Sequence, residues 1–127
     1  MPDEGPLPAR LKAQRRRAHR RGQLSEYVAA FFLMLKGYRI VTLRYRTKVG
    51  EIDIIARKGE LAIFIEVKAR RDEMAAIYAV SSTAERRIRA ASDFWLSRQP
   101  DQARLSMRYD IIAVMPFRLP RHIKNAF

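Results

Sequence analysis

Two apolar β-segments, Glu51 to Arg57 and Leu61 to Ala69, meet across Lys58 and Gly59, and this hairpin signal constrains the chain more than any other feature of it. Upstream, Tyr38 to Tyr45 is rich in β-branched and aromatic residues and reads as a further strand. Before it, Leu24, Tyr27, Val28, Phe31 and Leu35 recur at helical spacing between Gln23 and Lys36, and Gly37 is placed to end that helix. Downstream, Ser81, Ser82 and Thr83 offer N-caps for a helix to about Arg98, with Ala84, Ile88, Ala91 and Trp95 as its apolar stripe. Pro100 breaks it, and Met107 to Met115 reads as a last buried strand. The order is αβββαβ. A hairpin followed by a helical crossover predicts an α/β fold, a mixed sheet flanked by helices, with the crossover right-handed.

At 127 residues, 48% of them hydrophobic, the chain fits one domain with a core of its own. It holds no apolar run of membrane-spanning length and no apolar signal core, so it reads as soluble, unexported and cytoplasmic, with no membrane partner. It has no cysteine, which excludes disulfides, thiol nucleophiles and thiolate metal sites. Its 26 Lys and Arg against 13 Asp and Glu leave a formal charge of +13, a balance that favours polyanions, nucleic acid first. Residues 1–22 carry Arg10, Lys12, Arg15, Arg16, Arg17, Arg20 and Arg21 with few large apolar residues, and read as a mobile basic arm before a single domain over residues 23–127. Such an arm binds phosphate by counterion release or is merely a solvated tail.

Charges stand where strands should be apolar: Asp53 within Gly50-Glu51-Ile52-Asp53, and Glu66 and Lys68 within Glu66-Val67-Lys68. Strand alternation puts Glu66 and Lys68 on one face. A two-residue loop at Lys58 and Gly59 would pair Arg57 with Glu60, Asp53 with Phe64 and Glu51 with Glu66, which sets Asp53 diagonal to Glu66, roughly 7 to 8 Å away, on that same face. Clustered carboxylates repel unless a proton or a cation sits between them. Mg²⁺ or Mn²⁺ suits such hard oxygen donors, with Asp53 and Glu66 as side-chain ligands and the Val67 carbonyl as a third oxygen. Lys68 would then orient an attacking water or stabilise charge growing on a phosphate. The alternative is a solvated strand face with Asp53 as a turn-proximal acid.

These motifs resemble the restriction-endonuclease-like superfamily with its PD-(D/E)XK signature, and most closely the YraN family of uncharacterised bacterial proteins. The resemblance runs from about Gly22 to Asn125-Ala126-Phe127, with Gly37-Tyr38, Arg46 and Tyr109-Asp110 as support. It implies a nuclease core similar to archaeal Holliday-junction resolvases, and it implies that Glu26 of the first helix joins the acidic cluster; read alone, Glu26 is an acid favoured by a helix dipole. Two positions depart from the family pattern: Arg44 stands where that pattern has Asn, and Ala84 where it commonly has a long polar residue such as Lys. Glu51 either joins the cluster or caps the loop, and stays outside the ligand set.

Arg44, Arg46, Lys48, Arg70 and Arg71 are candidate phosphate contacts, and Tyr45 a candidate base stack. Arg86, Arg87 and Arg89 decorate the second helix, where a solvated face competes with DNA contact. His19 and His122 fall in peripheral segments and are set aside as catalytic bases; Phe94 and Trp95 read as core. The expectation is therefore a Mg²⁺- or Mn²⁺-dependent DNA endonuclease, a phosphodiester hydrolase acting on branched or processed structures, against a non-catalytic nucleic-acid-binding protein or a docking protein of a nucleic-acid-processing complex. Junction-resolving relatives act as dimers, so the resemblance raises a homodimer, although no self-complementary patch is readable in the sequence.

Overall fold

The first helix is far longer than its periodic stretch. In a computed structural model, which describes residues 8–127, α1 spans Ala9–Leu35 and takes in most of the segment read as an arm, leaving residues 1–7 outside the described residues. Ala, Leu, Arg, Lys and Gln dominate its first half, and these are the strongest helix formers. Its end is a Schellman turn: Gly37 takes φ +92°, the Tyr38 amide donates to the Leu33 carbonyl and the Gly37 amide to that of Met34, each at 3.0 Å.

Five strands follow in spatial order β1-β2-β3-β4-β5: β1 Arg39–Arg46, β2 Glu51–Lys58, β3 Leu61–Ala69, β4 Ser106–Val114 and the short β5 Arg121–Ile123. The first three form an antiparallel meander, β4 runs parallel to β3, and β5 returns antiparallel. Between β3 and β4 lie α2 (Glu73–Tyr78, capped by Asp72) and α3 (Ser82–Ser97, capped by Ser81). The expected αβββαβ order stands, enlarged by α2 and β5. Among the described residues no helix is long and apolar enough to cross a membrane.

Helices cover both sheet faces, as strands buried on both sides require. On one, Ala29, Ala30 and Leu33 of α1 pack on Ile54, Ile63, Ile65, Val67 and Ile112. On the other, Ile88, Ala91 and Trp95 of α3 pack on Ile55, Ala62, Phe64 and Tyr109, with Phe64 edge-on to Trp95 at 5.7 Å. The face of α1 is a correction. Leu24, Tyr27, Val28, Phe31 and Leu35, whose spacing marks the helix and which a core-facing stripe would bury, are exposed, and the alanine-rich face is inside. Small side chains let the helix axis lie close to a sheet already crowded with isoleucine.

Register is the second correction. Lys58 pairs with Leu61 and Arg57 with Ala62, so the two loop residues are Gly59 and Glu60 rather than Lys58 and Gly59. Gly59, at φ +60°, holds the first loop position, where a type II′ hairpin turn requires glycine. Phe64 consequently faces Ile55, not Asp53. The slip is two positions in the pairing sum, so face parity survives, and the ladder extended past Ile54 and Ile65 brings Asp53 opposite Glu66.

That ladder stops at Ile54–Ile65, whereas β3 stays paired to β4 through Ala69–Val114. The sheet therefore forks between β2 and β3. At the same level β1 and β2 reverse faces. The partners Leu43 and Ile54 lie on the α1 side, while Tyr45 and Ile52, two residues further along, lie on the α3 side. Regular strands keep residues i and i+2 on one face; the reversal falls at Arg44, whose φ is +53°. Past it, Gly50 lies so close to α3 that an added Cβ would strike the Arg87 carbonyl, which fixes where β2 begins.

Candidate metal centre

The fork is where the charged residues gather. Asp53 fills the gap left by the ladder, its Oδ2 accepting the Val67 amide proton at 2.8 Å. In a β-strand the N–H and C=O of one residue point to the same neighbour, so the Val67 carbonyl faces the same gap. Glu66 and Lys68 follow β3 on either side of it and pair at 3.1 Å, both largely buried. Glu26 arrives from α1, but its Oε2 accepts from Arg44 Nε at 2.8 Å. An open groove of about 860 Å³ runs past Leu24, Ser25 and Glu26, Asp53, Glu66 through Arg71, and Val114 through Pro116.

Burial, then the neighbouring Glu66 charge, pushes the Asp53 carboxyl up to about 7; the Val67 amide and Lys68 oppose this, and Glu26 adds to it. An acid whose folded pKa exceeds its ordinary 3.8 binds its proton more tightly in the folded state. Stability then falls as pH rises between about 4 and 7 and levels off above. Asp53→Asn keeps an acceptor for the Val67 amide and removes the charge. The metal-free variant should melt with wild type near pH 4 and several degrees above it near pH 8. Melting curves across that range check this; a variant less stable at pH 8 would contradict it.

The donors fit a hard divalent ion: two carboxylates and a peptide oxygen, with a half-buried acid pair that needs a proton or a cation between its members. Among the described residues, however, no group of three or more His, Asp or Glu side chains is arranged around a common point. The ion pairs account for that, since Arg44 holds Glu26 and Lys68 holds Glu66. Replacing Arg44 by Asn, which tolerates a left-handed φ, frees the Glu26 carboxylate. Calorimetric titration should show Mn²⁺ affinity rising by up to about tenfold. Unchanged affinity would place Glu26 outside the metal set.

The candidate phosphate contacts divide around this centre. Arg46, 3.7 Å from the exposed Glu51, lines a smaller pocket of about 170 Å³ that includes Glu26, Arg44 and Asp53. Arg70 and Arg71 are exposed along the larger groove, and Arg70 Nη1 donates to the Ala69 carbonyl. Lys48 is exposed in the β1–β2 turn and lines neither. Arg44 is turned inward, beneath Tyr27. Arg89 stacks on the Tyr109 ring, 4.5 Å from its centroid, so its place is structural.

A second polar cluster escaped the sequence reading. Asp110 of β4 is fully buried and accepts two 2.8 Å bonds from Arg108, one of 2.7 Å from His122 Nε2 and one of 2.9 Å from the Asn125 amide. With Nε2 donating, His122 Nδ1 accepts from Lys36 Nζ at 2.6 Å, and Arg108 also donates to the Tyr38 hydroxyl. His122 is thus not peripheral: it clamps β5 to the core. The readable signal was an Asp inside the apolar run Tyr109 to Val114.

Comparison with known proteins places this sequence among relatives. The family model of uncharacterised protein family UPF0102 matches residues 25–114. A UPF0102 protein of Rhizobium johnstonii is 71% identical over 117 residues, 92% of this chain and 96% of the relative. One of Rhizobium etli is 73% identical over 117 residues, with the same coverage, and one of Mesorhizobium japonicum is 58% identical over 118 residues, 93% of this chain and 94% of its own.

Proposed function

We propose that this chain, which belongs to uncharacterised protein family UPF0102, is a divalent-cation-dependent endonuclease that hydrolyses phosphodiester bonds in DNA, with branched DNA as the leading substrate. The observation that carries the reading is the gathering of Asp53, Glu66 and Lys68 along one groove at the open end of a forked sheet, with the half-buried Asp53 carboxyl raised to about 7 beside Glu66. An acid perturbed by desolvation and a like charge, set in a groove, is the arrangement that general acid–base and metal chemistry requires. Asp53, Glu66 and the Val67 carbonyl would hold Mg²⁺ or Mn²⁺, and Glu26 would join them once released from Arg44. The cation supplies charge stabilisation on the phosphate and a water of lowered pKa. Lys68 orients that water or neutralises charge developing on phosphorus-bound oxygen. Arg46, Arg70 and Arg71, on either side of the acid pair, hold the flanking backbone phosphates, with Lys48 further out.

Cleavage of labelled linear, flap and four-way DNA with Mg²⁺ or Mn²⁺, lost in Asp53→Ala, tests the reading. No cleavage of any substrate by the wild type would reject it. The two intramolecular ion pairs on Glu26 and Glu66 favour a second reading, a nucleic-acid-binding protein that keeps the fold without cleaving. In either case the net charge of +13 makes binding electrostatic. Affinity should fall steeply with salt, and removal of residues 1–21 should lower both affinity and salt slope. Identical binding isotherms for the shortened chain would show that segment to be a passenger.

A further inference from the structure

We infer that the outer face of α1 is a docking surface for a second copy of this chain, in a two-fold antiparallel helix pair that crosses near Phe31. Leu24, Tyr27, Val28, Phe31, Met34 and Leu35 form one stripe, with exposures from 37% at Val28 to 73% at Leu35. Residues 27–35 contain no charged side chain, within a chain whose formal charge is +13. Scattered exposed apolar residues need no explanation, but a contiguous stripe of six marks an interaction site.

Area and charge together select the occupant. The stripe offers roughly 600 Å² of apolar surface per copy, near the ~800 Å² that each partner of a standard interface contributes. Duplex DNA presents mainly phosphate and sugar to a protein, not an apolar face that a helix could lie against. Two copies of so basic a chain repel at long range, so a self-contact must lie where charge is absent, and α1 supplies such a stretch. The stripe runs straight along one helix, so a two-fold axis at Phe31 sets Phe31 against its own counterpart, Tyr27 opposite Leu35 and Val28 opposite Met34 of the other copy, an isologous contact that closes on itself. Leu24 also lines the groove that holds Asp53, Glu66 and Lys68, so each copy's groove opens at the margin of the contact. The inference rests on the helix surface alone and stands whether or not the groove cleaves DNA.

The test is sedimentation equilibrium on the full, nucleic-acid-free chain at about 0.5 M salt, where charge repulsion is screened. At about 100 µM the wild type should sediment at twice 14.8 kDa. Phe31→Glu and Phe31→Lys should each be monomeric with unchanged helical circular dichroism, and should melt like the wild type at dilutions where the wild type does not pair. A mixture of the two should form a 1:1 dimer, because residue 31 meets residue 31. Should either fail to fold, Met34→Glu and Val28→Lys replace them as the complementary pair. A monomeric wild type at that concentration, or a dimer indifferent to these substitutions, overturns the proposal. So does failure of the mixture to pair, or a wild-type monomer that binds anionic phosphatidylserine vesicles through Phe31, which would assign the stripe to a lipid surface.

Discussion

Lys68→Ala should lower DNA cleavage by at least about 10²-fold while Mn²⁺ affinity stays within a few-fold of wild type. An ammonium group has three donors and no acceptor, so it cannot be a ligand. Its nearest acid, Glu66 at 3.1 Å, is a proposed ligand, which puts the positive charge beside the place where a phosphate would develop negative charge. Removing Lys68 also leaves Glu66 less compensated beside Asp53, so the metal-free variant should melt lower, the opposite of Asp53→Asn. The pair of variants separates charge balance from catalysis: one gains apo stability and loses the ion, the other loses apo stability and keeps it. A labelled-substrate assay beside Mn²⁺ calorimetry reads both, and full cleavage by Lys68→Ala would reduce the residue to a counter-charge.

The largest stability effect belongs elsewhere. Asp110→Asn should cost about 3–5 kcal/mol in chemical denaturation, since removing one member of a buried ion pair leaves the others uncompensated. Burial alone pushes the Asp110 carboxyl up, but the His122, Arg108 and Asn125 donors outweigh it and hold it at about 2. Because the folded pKa is depressed, this contribution is complete above about pH 4 and is lost as pH falls through about 2. The amide keeps the shape but turns an N–H₂ toward donors. The loss should be independent of Mn²⁺ and DNA, and a change below about 1 kcal/mol would mean the network is dispensable.

Legibility from sequence followed the size of each signal. Ile54, Ile63, Ile65 and Ile112 announced buried strands, and the Ser81 cap and Ile88–Ala91–Trp95 spacing announced α3, because each repeats over several residues. Helical period alone could not choose which side of α1 goes inside, since Ala29, Ala30 and Leu33 recur as regularly as Leu24, Tyr27, Val28 and Phe31. Lys58-Gly59-Glu60 admits two loops, with glycine second or first, and the second of these is adopted. The grouping of Asp53, Glu66 and Lys68 was readable because either loop brings Asp53 within two residues of the level of Glu66. The reversal at Arg44 was not, because nothing local announces an arginine with left-handed φ, and it is sustained by the bond to Glu26, 18 residues away. α2 and β5 are too short to carry a period.

The fork between β2 and β3 also provides an internal spectroscopic probe. The Val67 amide is held by the Asp53 carboxylate where a regular ladder would offer a carbonyl. Its ¹⁵N–¹H resonance therefore responds to the ionisation of the Asp53–Glu66 pair, without enzymatic turnover. A pH series would trace that titration from the backbone. Addition of diamagnetic Mg²⁺ at high pH would move the same cross-peak if the cation binds the acid pair, so the chemistry of the groove can be followed even in variants that cleave nothing.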